Sequence, residues 1–138
     1  YTAHTAKSLQ RKLMQKGVKA DAAEAAVAYV RRIGYIDDES YARRYAEQLF
    51  TSRRYGAIRV RQMLRQKGID SELIEQVIAE CAPDATAPIV EILRTKYEGA
   101  DLQDYKQRQK VMAALARRGY TWEDIGAAME KYNQEETW

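Results

Sequence analysis

Between Arg43 and Lys67 the chain sets eight cations, Arg43, Arg44, Arg53, Arg54, Arg59, Arg61, Arg65 and Lys67, against a single acid, Glu47. Seven of the eight are arginine, whose planar fork donates to two oxygens of a carboxylate or phosphate at once. An extended polyanion is the partner that such a run suits. Tyr41, Tyr45 and Tyr55 are interleaved with the arginines. The first two are expected in the core, and Tyr55, between Arg54 and Gly56 in an expected loop, as an exposed contact. The pattern recurs on either side: Lys7, Arg11, Lys12, Lys16 and Lys19 come before Asp21 and Glu24, and Lys106, Arg108, Lys110, Arg117 and Arg118 before Glu123 and Asp124. The stretch from Asp70 to Glu80 is acidic in its turn. Pairing between a basic helix and an acidic one accounts for part of this. In the middle run the cations outnumber what the adjoining acids neutralise. Arg59 and Arg61 are expected to be exposed.

Residue types suited to catalysis are sparse. His4 is the only histidine and Cys81 the only cysteine, so neither a zinc cluster nor a Cys/His nucleophile pair can be assembled from them. His4 is expected at the surface and Cys81 on the apolar face of a helix. The glycines fall at expected helix ends and make no phosphate-cradling loop. Asp37, Asp38 and Glu39 stand together, and acids opening a helix are what the positive end of its dipole favours, ahead of a cation site. No catalytic residue, metal or cofactor is expected.

What must position the arginines is a repeat. Leu9, Leu13, Lys16, Gly17 and Val18 recur 51 positions later as Val60, Leu64, Lys67, Gly68 and Ile69, and again as Val111, Leu115, Arg118, Gly119 and Tyr120, without a gap. Each segment reads as a helix with an apolar i, i+4 pair, a basic residue suited to the helix's negative end, and a closing glycine. A second helix follows in the same register: Ala23, Ala26, Val27 and Val30 map onto Ile74, Val77, Ile78 and Cys81, then onto Ile125, Ala128, Met129 and Tyr132. Asp70 and Thr121 stand where N-caps belong, and Thr121 with Asp124 resembles a capping box. A further helix precedes the middle pair over Asp37–Phe50, and its counterpart over Pro88–Tyr97 precedes the last. No sustained alternation or hairpin signal suggests a strand.

The expected fold is therefore all-α: tandem three-helix repeats stacked into an elongated, curved array. The expected divisions are 1–33, holding the second and third helices of a first repeat whose first helix would lie before Tyr1, then 34–84 and 85–138. At 138 residues with two prolines, seven glycines and a net charge of +3, the chain suits a few small units that share a core, since one unit of about 50 residues buries too little surface alone. A lone cysteine fits a reducing compartment, so a cytoplasmic location is expected, and no heptad seam is long enough for a coiled coil, so a monomer is expected.

The segment Gly34-Tyr35-Ile36-Asp37-Asp38-Glu39-Ser40-Tyr41-Ala42, then Arg53-Arg54-Tyr55-Gly56, then Ile58-Arg59-Val60-Arg61-Gln62-Met63-Leu64-Arg65-Gln66-Lys67-Gly68-Ile69, is similar to the central motif of the RecX family. His4-Thr5 through Leu9, Leu13 and Gly17 resembles that family's first unit, while the third unit matches mainly in pattern. The resemblance implies a bacterial, non-enzymatic modulator, usually an inhibitor. It would bind in the groove of the filament that the RecA recombinase forms on single-stranded DNA, and restrain recombination, ATP hydrolysis and the SOS response. By position it implies Arg53, Arg54, Arg59, Arg61, Arg65 and Lys67 as contacts, and the charge pattern adds Arg43, Arg44, Tyr55, Arg11, Lys12 and Lys16. A direct DNA-binding module of Myb or helix-turn-helix type is the competing expectation. Such modules read DNA with a basic final helix, whereas here the final helix of each unit is acidic.

Overall fold

The computed structural model describes residues 5–32 and 36–136. Among the described residues there are eight helices and no strand. They are α1 (Ala6–Gln15), α2 (Ala20–Arg32), α3 (Asp38–Thr51), α4 (Ala57–Gln66), α5 (Ser71–Cys81), α6 (Thr86–Lys96), α7 (Tyr105–Arg117) and α8 (Trp122–Glu136). His4, Gly34, Tyr35 and Trp138 lie outside the described residues, and so does the surface position expected for His4.

The helix boundaries follow local chemistry. The periodic glycines Gly17, Gly68 and Gly119 all have positive φ, +95°, +82° and +102°, the left-handed conformation that closes a helix and that a side chain disfavours. Asp37 caps α3 by accepting the Ser40 N–H at 3.1 Å, and that bond is the first cause of its lowered pKa. Thr121 caps α8 through the Asp124 N–H at 3.1 Å. Asp70 occupies the N-cap position of α5, but its side chain accepts no capping bond. The helix expected over Pro88–Tyr97 begins earlier, at Thr86. There the Asp84 carboxylate accepts the Thr86 N–H at 2.9 Å, and Pro88 falls in the first turn, where a missing N–H costs nothing.

Packing runs chiefly within groups of consecutive helices: α1 with α2, α3 with α4 and α5, and α8 with α6 and α7. The α3–α5 core holds Ala42, Ala46, Leu49, Phe50, Val60, Leu64, Ile69, Ile74, Val77 and Ile78. The α6–α8 core is built on Ile89, Leu93, Leu115, Ile125 and Met129 among others. Each fully buried Leu or Ile contributes about 1.5–3 kcal/mol, so these two groups carry most of the stability. The cluster at the first pair is small, Ala6, Leu9 and Val27 with Ile36 from the segment before α3. Ala26, expected on the buried face of α2, is exposed, because α2 packs mainly on α1 and its buried stripe narrows to Ala23 and Val27. Cys81 is half-buried against the α3–α5 core, and burial raises its thiol pKa.

Neighbouring groups are joined at two places 51 residues apart, each the start of one helix against the end of another. The start of α4 meets the end of α7: the Gly56 N–H donates to the Arg118 carbonyl at 2.8 Å and the Ile58 N–H to the Gly119 carbonyl at 3.2 Å. Likewise the start of α1 meets the end of α4, where the buried Thr5 hydroxyl donates to the Lys67 carbonyl at 2.6 Å. A Cβ on Gly68 would come within 2.6 Å of the Lys7 Cβ. Free carbonyls at a helix end are thus satisfied from the start of another helix, by backbone N–H groups at the α4–α7 joint and by the Thr5 hydroxyl at the α1–α4 joint.

Candidate functional site

The two junctions fix where the basic residues stand. Several of them are engaged within the protein. Arg43 of α3 is ion-paired with Glu39 at 3.0 Å and also with Glu80 of α5. Its pKa is raised by the Glu80 hydrogen bond first and the Glu39 bond second. Arg61 of α4 grips Glu75 of α5 with two bonds, 2.7 and 3.1 Å, and this lowers the Glu75 pKa. These two arginines tie α3 and α4 to the acidic α5, and the bond from the basic α4 is the pairing that the alternating charges suggested.

Arg59 departs from expectation. It is half-buried rather than exposed. Its Nη1 donates to the Arg117 carbonyl at 3.4 Å and its guanidinium carbon lies 4.5 Å from the centre of the Tyr55 ring. Among the described residues, its Nε is the one buried side-chain polar atom that lacks a hydrogen-bond partner. Arg61 is also only partly exposed, because Glu75 holds it down. Tyr55, expected as an exposed contact, is half-buried and packs against the α3–α5 core, since the junction folds the 52–56 loop under α7. Arg54 takes a positive φ of 52° in that loop, and its carbonyl accepts the Tyr120 hydroxyl at 2.7 Å. Burial pushes the Tyr120 phenol up to about 12.

The remaining candidates keep their charges outward. Arg44 donates only to the Ser40 carbonyl of its own helix, at 3.4 Å. Arg53, Arg65 and Lys67 are exposed and have no ion pair among the described residues, although Lys67 Nζ sits 5.7 Å from the Tyr45 ring. On α1, Arg11 reaches the Gln66 carbonyl at 3.5 Å, which brings it to the end of α4 beside Arg65 and Lys67. Lys12 and Lys16 are exposed on the same helix. The structure therefore joins the basic residues of α1 and α4 across one junction, and leaves Arg43 and Arg61 on internal duty.

Two contributors escaped the sequence reading. Arg118 donates to the Arg53 carbonyl at 2.7 Å and so ties the basic loop to α7. Thr5 both caps α1 and holds the end of α4. The shift of 51 residues was the available signal for both, because it sets Thr5 on Gly56 and Lys67 on Arg118.

Among the described residues, no cluster of His, Cys, Asp and Glu has the makings of a metal site, and no helix is long and apolar enough to cross a membrane.

Comparison with known proteins agrees with this architecture. Residues 37–78 match the second three-helix domain of RecX and residues 89–129 the third. The regulatory protein RecX of Trichlorobacter lovleyi is 34% identical over 132 residues, covering 93% of this chain and 86% of that protein. The one of Stenotrophomonas maltophilia strain R551-3 is 36% identical over 128 residues, covering 91% and 76%. A crystal structure of the regulatory protein RecX superposes with a TM-score of 0.80 at 22% identity, over 94% of this chain and 65% of that one. The crystal structure of RecX from Lactobacillus salivarius does so with 0.78 at 18% identity, over 97% and 88%. With identity at this level over nearly the whole chain, and three-helix units in matching order, this chain belongs to the RecX family.

Proposed function

We propose that this chain is a non-enzymatic modulator of RecA. It lies in the groove of the filament on single-stranded DNA and restrains recombination, ATP hydrolysis and SOS activity. Membership of a family named for regulatory proteins supports a regulatory role. The observation that carries the finer reading is the set of outward cations, Arg44, Arg53, Arg65 and Lys67 with Arg11, Lys12 and Lys16, arrayed over helices whose mutual placement two built junctions fix. A filament on single-stranded DNA carries negative charge over a long distance, and arginines and lysines held on packed helices suit such a partner. The divisions at 33/34 and 84/85, action as a monomer and a cytoplasmic setting belong to the same proposal. Against a helix-turn-helix reader stands α5, whose Glu72, Glu75 and Glu80 would face the phosphates.

The test is co-sedimentation with RecA filaments of the wild-type chain and of Arg53→Glu with Arg65→Glu. Neither residue has an ion pair among the described residues. The expected result is at least a tenfold loss of filament affinity with an unaltered helical spectrum. Equal affinity would remove this surface from the proposal.

A further inference from the structure

A cleft with about 60 Å³ of free volume lies between the second and third groups of helices, beside the α4–α7 joint. Its apolar wall includes Phe50, Ile58, Pro83, Pro88 and Tyr120, and Asp124 is the one charged residue that lines it. Asp124 is half-buried. Its N–H donates to the Thr121 hydroxyl, but among the described residues its carboxylate has no hydrogen bond or ion pair, so the return bond of a capping box is not made. Two large apolar side chains stand in solvent here. Ile58, on the wall, is 41% exposed, and Trp122, next in the chain to the lining Thr121, is 58% exposed.

The other junction supplies an internal comparison. Subtracting the period of 51 puts Lys7 in place of Ile58, Ser71 in place of Trp122 and Leu73 in place of Asp124. There the stem of Lys7 lies against Gly68, with its Cβ 2.6 Å from where a Cβ on that glycine would stand. A joint is thus made with a lysine and a serine at these positions, and neither the exposed isoleucine and tryptophan nor the spare carboxylate is needed to hold one. Their presence together at one of two related places points to something that covers them.

We infer that this cleft docks an extended segment of a partner protein, one aliphatic side chain of which enters the cavity while a neighbouring lysine or arginine meets Asp124, with Ile58 and Trp122 as the apolar flank. The volume of about 60 Å³ admits one such side chain and falls far short of the roughly 300–1,000 Å³ of a small-molecule site. Glu123, exposed and without an ion pair among the described residues, adds negative charge beside Asp124. The occupant is cationic where the basic residues of α1 and α4 call for an anion. The cleft and the filament surface are therefore separate sites, and this one is measured without RecA, so each can fail while the other stands.

The experiment is titration of the full isotope-labelled chain with a blocked hexapeptide that carries leucine and arginine side by side between glycines, followed through the backbone amides. Saturable shifts are expected at Ile58, Ala85 and Thr121. Serine in place of the peptide's leucine should weaken binding about tenfold or more, as the loss of one buried aliphatic side chain implies. Asp124→Asn should cost the arginine peptide about threefold, the scale of a part-exposed ion pair, and leave a peptide with glutamine in place of arginine unchanged. Trp122→Ser, which installs the residue type of the first junction at an exposed position and so keeps the fold, should weaken both peptides alike. Tyr105→Ser, at an exposed aromatic outside the cleft, should change neither. No saturable shift at these amides, equal losses of the two peptides on Asp124→Asn, or the same shifts on concentrating the chain alone, as a second copy in the cleft would give, would each overturn the assignment.

Discussion

Gly56→Ala isolates the joint between the second and third groups of helices. Gly56 has an ordinary φ of −84°, so alanine meets no conformational penalty there and the whole effect is steric. Its Cβ would lie 2.3 Å from the Gly119 oxygen, 2.4 Å from the Gly119 carbonyl carbon and 2.7 Å from the Tyr120 nitrogen. All three are backbone atoms, which no rotamer change moves aside. Bringing the closest approach to 3.0 Å requires the two chains to part by about 0.7 Å, and this stretches the bonds from the Gly56 and Ile58 N–H groups, now 2.8 and 3.2 Å, beyond good geometry. Two backbone hydrogen bonds at about 1 kcal/mol each, with some penalty for the donors left without acceptors, give a loss of about 2–4 kcal/mol. Gly17→Ala is the counterpart. Its φ is +95° and nothing lies within 4 Å of the added Cβ, so it carries only the left-handed penalty of about 1–2 kcal/mol. Urea unfolding followed by circular dichroism gives both values, and amide exchange at positions 56 and 58 reports the joint directly. A Gly56→Ala loss smaller than that of Gly17→Ala, with both amides still protected, would refute the account of the joint.

Tyr120→Phe removes the hydroxyl bonded to the Arg54 carbonyl and is expected to cost about 1 kcal/mol at neutral pH, read by the same unfolding experiment. Because burial raises the folded phenol to about 12 from an ordinary 10.0, its contribution is complete below pH 10 and is lost as pH rises toward 12. The phenylalanine variant should show a flatter alkaline limb, and a wild-type spectrum in which every tyrosine ionises near 10 would contradict this. Glu75 and Glu80 have lowered pKa values through Arg61 and Arg43, so what they add is present above about pH 4.5 and fades as pH falls below it. Glu80→Gln should flatten the acid limb of a stability profile, and an unchanged limb would remove the Arg43 pair from the account. Leu64→Ala, at a site with no exposure, should destabilise by about 2–5 kcal/mol, and a loss below 1 kcal/mol would show a core looser than described.

The helices and their order were legible because the information is local and said three times. An apolar i, i+4 pair, a basic residue and a glycine mark the end of α1, α4 and α7 alike, and the three glycines adopt the same left-handed conformation. The charged residues were legible only as a population. Arg61 and Arg65 are one helical turn apart and look equivalent in the sequence, yet Arg61 is ion-paired with Glu75 while Arg65 feels that carboxylate only at longer range, because only the packing of α4 on α5 decides which side chain an acid reaches. Arg59 was misjudged for a longer-range reason. Its surroundings are Tyr55 and the carbonyl of Arg117, 58 residues away, and no helical periodicity within α4 announces a meeting with α7. Tyr55 went inward with it. Ile58 and Asp124 did not stand out as a pair, far apart in the chain as they are; it is the joint that brings them to one cleft.

The proposed regulation of RecA is tested by the rate of DNA-dependent ATP hydrolysis by preformed RecA filaments as this chain is added. The rate is expected to fall at or below stoichiometric amounts, with weaker binding to bare single-stranded DNA than to filaments. An unchanged rate, together with tight and salt-sensitive binding to bare DNA, would contradict it.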